Sequence, residues 1–117
     1  MSDRVDDLAE DMANGLAYVT TTVANLDDAE KLAGELVSQS LAACVQIDGP
    51  ITSHYRWAGK VQTSSEYRLS IKTSQKAWPR LLSKLPKMHP YEEPEIIMTK
   101  IDQFSPGYGS WVIDQTT

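Results

Sequence analysis

The chain is nearly without cysteine. Cys44 stands alone, so no internal disulfide forms and no C-x-x-C metal or redox pair exists. Histidine is also scarce: His54 and His89 lie too far apart for an H-x-H or H-E-x-x-H ligand pair. No run of about 18 apolar residues occurs, which excludes a membrane-crossing helix. The Walker A and G-x-G-x-x-G loops that cradle phosphates are missing. G-x-S-x-G is missing too, and no carboxylate is placed to orient a histidine beside a serine, so nucleophilic catalysis has no support. Neither candidate central strand carries the interleaved aromatics of an RNA-recognition platform. The opening MSDRVDDLAEDM has neither the basic nor the apolar stretch of a signal peptide, and a cytoplasmic address is expected.

Acidic residues outnumber basic ones, for a net charge of −5. Asp3, Asp6, Asp7, Glu10 and Asp11 against Arg4 give residues 1–14 a charge of −4, which leaves −1 for the rest. Residues 1–14 therefore read as an acidic arm, mobile or a frayed helix, and 15–117 as a single domain. A body this close to neutral argues against nucleic acid as a partner, because phosphate binding needs a basic face.

What the chain does have is alternation. Val19, Thr21 and Val23 alternate with Tyr18, Thr20 and Thr22, a β-branched strand pattern. Asn25–Leu26 break it. Asp27, three residues before Glu30, has the spacing of a helix capping box. Ala29, Leu32, Ala33, Leu36, Val37 and Leu41 then recur with helical period. LAACVQI leads into a second strand, Gly49–Pro50 marks a bulge, and ITSHYRW resumes it. Ala58–Gly59–Lys60 reads as a hairpin turn. The return strand, Val61 to Thr73, keeps period two for about a dozen residues against a usual 5–6.

Ser74 is placed to cap a second helix with Pro79 in its first turn and an apolar stripe of Trp78, Leu81, Leu82, Leu85 and Met88. Pro86 and Pro90 mark its end. A fourth strand is expected over Glu95–Ile101, and Ser105–Pro106 opens a short last helix carrying Tyr108, Trp111 and Val112 on one side.

The order β-α-β-β-α-β plus a terminal helix specifies an α+β, ferredoxin-like fold with a mostly antiparallel sheet. Two helices cover one face. The other face carries His54, Arg56, Ser64, Glu66, Arg68 and Lys72, or else the Tyr/Trp set, depending on register. The long hairpin leaves edges nothing else in the chain can cover, so it is expected to pair with another subunit.

Two residue types offer metal chemistry. Cys44 sits among Ala42, Ala43, Val45 and Ile47, which favours a packed, protonated thiol; the alternative is a soft-metal ligand. In MHPYEEPEI, His89 lies beside three glutamates, but Pro90 and Pro94 set a path whose side-chain directions the sequence leaves open. It reads as an ordered helix-to-strand connection ahead of a metal site. His54 reads as a surface or interface histidine.

LAACVQI, ITSHYRWAGKV, EYRLSIKT, HPYEEPEII and YGSWV, in this order and spacing from about Tyr18 to Ile113, together resemble the CutA family of divalent-cation tolerance proteins. The resemblance implies a homotrimer of ferredoxin-like subunits, similar to PII signalling proteins, and a link to copper and other divalent cations, with no organic cofactor. It also implies metal ligands. A family cysteine falls on Thr21 and a His–His pair on Met88–His89. Only His89 keeps an imidazole here, while the thioether of Met88 suits Cu(I). Cys44 matches a family cysteine read as structural. The leading function is therefore a non-catalytic trimer that binds Cu(II) or a similar ion. The alternative is a PII-like module that senses a small anionic ligand in intersubunit clefts or docks a membrane partner. Tyr55, Trp57, Lys60 and Glu66 are its cleft candidates, together with Lys72, Tyr91 and Trp111. An acylphosphatase-like enzyme ranks below both, since no glycine-rich anion loop precedes the first helix.

Overall fold

Strand β1 (Leu16–Val23) follows its β-branched alternation, with Val19, Thr21 and Val23 fully buried on one face. The computed structural model describes residues 14–117, so the acidic arm read over 1–14 lies outside the described residues except for Asn14. Helix α1 (Leu26–Ser38) starts two residues earlier than the Asp27–Glu30 spacing suggested. Asn25 is the cap: its backbone is extended and its side-chain oxygen accepts the Asp28 N–H at 2.8 Å. Asp27 and Asp28 then occupy the first turn, where the helix dipole favours negative charge.

Strands β2 (Cys44–Trp57) and β3 (Lys60–Ser74) form the long hairpin. Its turn is Ala58–Gly59, with φ of 53° and 77°, and Lys60 already pairs with Trp57. Both turn residues are left-handed, the two-residue geometry that suits asparagine or glycine better than alanine. Ala58→Asn is therefore expected to raise the unfolding free energy by up to about 1 kcal/mol, read from the urea midpoint.

Helix α2 (Trp78–Met88) has Pro79 in its first turn and Pro86 inside. Ser74 caps the turn before it, not the helix itself: its Oγ accepts the Ala77 N–H at 3.1 Å while Ser74 still ends β3. Strand β4 is Ile97–Ile101, shorter than the expected Glu95–Ile101 because its pairing with β1 ends at Thr20↔Ile97. Helix α3 (Pro106–Gln115) opens at Pro106 as expected, but Ser105 makes no side-chain cap bond.

All strand pairs are antiparallel and the sheet order is β2-β3-β1-β4, the ferredoxin-like arrangement. Helices α1 and α2 bury Leu32, Leu36, Leu81 and Leu85 against Val19, Val23, Leu69 and Ile71. This single-sided core follows from the two helix stripes and the β-strand alternation. Helix α3 covers one end of the opposite face, with Val112 against Leu16 and Ala43.

The other end of that face stays open. Strand β1 stops opposite Tyr67, so β3 and β2 run on past it and stretch the fold to 54 × 29 × 25 Å. One extra β2 residue between Asp48↔Arg68 and Ile51↔Glu66 forms a bulge. Gly49 makes it possible, with φ of 151° and the Glu66 carbonyl 3.0 Å from where a Cβ would sit. The extra residue reverses the side-chain parity of β2. Beyond it, Ile51, Ser53, Tyr55 and Trp57 share the open face with Ser64, Glu66 and Arg68, while His54 and Arg56 point the other way with Thr63 and Val61. Among the described residues no helix is long and apolar enough to cross a membrane.

Candidate functional site

The site begins where α2 stops. His89 follows the helix in extended conformation, as expected for a residue before proline, and its N–H still bonds the Leu85 carbonyl at 3.0 Å. This aims the imidazole inward: it is 7% exposed. Its Nδ1 accepts the Tyr91 N–H at 3.0 Å, so in the neutral ring Nε2–H donates to Thr21 Oγ1 at 2.9 Å. Burial holds the imidazole below the usual histidine range, against the opposing pull of the Thr22 backbone, Asp28 and Glu66.

Tyr91 carries the chain round the end of β1. Its ring centroid lies 5.1 Å from that of His89, and its O–H donates to Glu66 Oε2 at 2.8 Å. Burial, then the adjacent Glu66 carboxylate, pushes the phenol well above its ordinary range. Glu66 sits one residue past the last β1–β3 pair and is 8% exposed. Burial pushes its carboxyl up, but the hydroxyls of Ser53, Tyr91 and Thr22 and the nearby His89 together outweigh it and hold it below the usual value. Thr21, His89, Tyr91 and Glu66 thus form one hydrogen-bonded path from the helix-covered face to the open face.

Glu66 lies in an open cleft of ≈ 800 Å³ between the hairpin and residues 90–95. Tyr55, Trp57 and Tyr91 line it, and Glu92, Glu93 and Glu95 line the side formed by the connection. Arg68 also lines it, 3.7 Å from Asp48 Oδ2.

Four of the residues expected at an intersubunit cleft, Tyr55, Trp57, Glu66 and Tyr91, line this cleft of the single subunit. The other three do not line the cleft. Lys60 closes the hairpin tip, Lys72 bonds Gln46 and lies 5.5 Å from the Tyr18 ring centroid, and Trp111 packs against Tyr108 on α3. Thr22 and Ser53 were not singled out from the sequence, although the alternation of β1 and β3 pairs Thr22 with Arg68 beside Glu66. Ser53 had no local signal, because the bulge decides its face.

The expected metal ligands are divided by the sheet. Thr21 and His89 touch, and Met88 lies half-buried against the helix-side core. Cys44 pairs with Lys72 and, by alternation from Val45, faces the opposite side. Both His89 nitrogens are engaged, so a cation must displace the Tyr91 amide to reach Nδ1. Among the described residues no group of three or more His, Cys, Asp or Glu is placed to hold an ion. One subunit therefore offers no ready-made Cu(II) site from this donor set.

The family model "CutA1 divalent ion tolerance protein" matches residues 17–115. The divalent-cation tolerance protein CutA of Thermus thermophilus is 38% identical over 98 residues, 84% of this chain and 95% of that protein. The chloroplastic Protein CutA of Arabidopsis thaliana is 37% identical over 97% of this chain, which spans 61% of the plant protein's length. The crystal structure of CutA1 from Oryza sativa superposes with a TM-score of 0.84 at 37% identity, covering 88% of this chain and 94% of that one. The family model and the Thermus protein are named for tolerance of divalent ions. With the motif blocks, the sheet order and these matches agreeing over nearly all described residues, the chain belongs to the CutA family of divalent-ion tolerance proteins.

Proposed function

We propose that the protein is a non-catalytic divalent-cation tolerance protein, a cytoplasmic homotrimer that binds Cu(II) or a similar ion weakly and reversibly. The observation that carries the cation is the charge of the cleft: Glu66, Glu92, Glu93 and Glu95 against Arg68. Assembly is supported by the hairpin, whose edges past Tyr67 have no strand partner within the described chain. His89 is the imidazole donor of this reading, and because its Nδ1 already accepts from Tyr91 N–H, weak binding is expected.

Titration of the full chain with Cu(II) tests the reading. His89→Ala is expected to weaken binding about tenfold or more, as loss of an imidazole donor should. Unchanged affinity and stoichiometry would remove His89 from the site. Light scattering is expected to give three times the 13.0 kDa chain mass, and a monomer mass would sink the trimer.

A second reading has its own support. A cleft of ≈ 800 Å³ with three aromatic side chains exceeds what an ion needs and falls in the range of small-molecule sites. This favours a PII-like module whose ligand occupies the cleft, at a subunit boundary if the hairpin pairs with a neighbour.

A further inference from the structure

We propose that the acidic segment 1–13 docks along a basic flank of α2, on the helix layer of its own subunit.

The flank is uncompensated. Between Glu66 and Glu92 the chain holds no acidic residue, and Lys76, Arg80, Lys84 and Lys87 fall in this stretch. Arg80, Lys84 and Lys87 have the i, i+4, i+7 spacing that places side chains on one helix face, beside the buried Leu81 and Leu85. All four cations are exposed. Like charges at this spacing repel one another, and Arg80 in the first turn also opposes the helix dipole. Helix α1 carries Asp27, Asp28, Glu30 and Glu35, yet no carboxylate among the described residues forms an ion pair with any of the four. The flank lies in the helix layer and not on the hairpin edges given to a neighbouring subunit, so pairing through the hairpin does not cover it.

The opposite charge is attached at the foot of this helix. Asp3, Asp6, Asp7, Glu10 and Asp11 against Arg4 precede Gly15, whose carbonyl accepts the Gln75 N–H at 2.9 Å. The Gln75 side chain also donates to the Leu16 carbonyl at 3.3 Å. Lys76 is the next residue. On the other side of Gln75, Ser74 Oγ accepts from Thr116 Oγ1 at 2.9 Å, and Arg80 donates to the Thr116 carbonyl at 3.3 Å and to the Ser40 carbonyl at 3.1 Å. One set of contacts thus joins the root of the acidic segment to the start of the basic flank.

Reach is sufficient. Thirteen residues span roughly 43 Å extended, and roughly 20 Å even when coiled as a helix. The 11 residues of α2 need only roughly 16 Å. A tether this short holds the carboxylates at about millimolar local concentration, so a contact of millimolar strength is already half formed. A separate anionic partner, whether protein or membrane, has to compete with that concentration.

Lysine acetylation of the full chain, read by mass spectrometry, tests this. The comparison is with a full chain carrying Asp3→Asn, Asp6→Asn, Asp7→Asn, Glu10→Gln and Asp11→Asn. At low salt Lys84 and Lys87 are expected to react about three- to fivefold faster in that variant, with the difference gone in 1 M NaCl, where charges are screened beyond about 3 Å. Lys31, exposed on α1, is the reference and should react equally in both. In the reverse direction, Lys84→Glu combined with Lys87→Glu is expected to speed amide hydrogen exchange of residues 2–13 about fivefold. Equal acetylation in the two chains, or a change that Lys31 shares, overturns the proposal. So does exchange that the double substitution leaves unchanged. Phosphatidylserine vesicles that shield Lys84 and Lys87 equally in both chains would mark a membrane surface and overturn the acidic segment as its occupant.

Discussion

Replacing His89 by alanine lowers the unfolding free energy by about 2–4 kcal/mol at neutral pH, because the substitution leaves a void and strips partners from two groups. The Tyr91 N–H loses Nδ1 and the Thr21 hydroxyl loses Nε2, both in a buried corner. The wild-type chain also has a distinct acid response. His89 is held below its unfolded value, so the unfolded state binds a proton before the native state does. Its contribution is complete above an unfolded pKa of about 6.5 and is lost as pH falls through the lower, folded value. Glu66 acts in the same direction further down: its lowered pKa contributes stability that is present above the unfolded carboxyl value and lost on stronger acidification. Urea midpoints at fixed protein concentration between about pH 3 and 8 measure both declines. In His89→Gln the first decline should flatten while the Glu66 decline stays. An identical pH slope in both proteins would show that His89 does not carry it.

Substituting Gly49 has the other large expected effect. A Cβ there meets Tyr67 Cδ1 at 2.7 Å and the Glu66 carbonyl oxygen at 3.0 Å, at a φ of 151° that side-chain-bearing residues avoid. The tyrosine ring packs against the helix-side core, and the Glu66 backbone moves only if β3 moves. Gly49→Ala is therefore expected to cost about 2–5 kcal/mol, combining backbone strain with overpacking. Gly107 is the control, since its added Cβ meets nothing within 4 Å and its backbone is helical. Gly107→Ala should change stability by less than about 1 kcal/mol, with a small gain from helix propensity. Equal effects at the two glycines, measured by thermal or urea unfolding, would refute a special role for the bulge. Ligand binding offers a second readout, because the same shift moves Glu66 relative to Tyr91.

These two substitutions also mark where sequence reading succeeds. Pro90 forces His89 out of the helix, and this was legible as a helix end followed by a connection. The inward aim of the ring was not, because it depends on Thr21, 68 residues away in the chain. The cap of α1 was missed by two positions: Asn25 and Asp27 are both acceptable caps, and only the end of β1 at Val23 selects between them. Of the seven residues expected at an intersubunit cleft, Lys60, Lys72 and Trp111 lie away from the cleft of the single subunit: two on the hairpin strands outside it and one on α3.

Sequence alone determined the elements, their order, the hairpin, the helix stripes and the family. Each rests on near-neighbour physics: period two, period 3.6, and the fixed or permissive backbones of proline and glycine. Tertiary structure decided the faces. A single extra residue at Gly49 turns Tyr55 and Trp57 toward Glu66 and sends His54 away, because side-chain direction alternates and one insertion reverses everything beyond it. It likewise put Cys44 and His89 on opposite sides of one sheet. The stretch MHPYEEPEI is thus divided between two surroundings: His89 is locked into the helix-side core, while its glutamates line an aromatic cleft on the far side of β1.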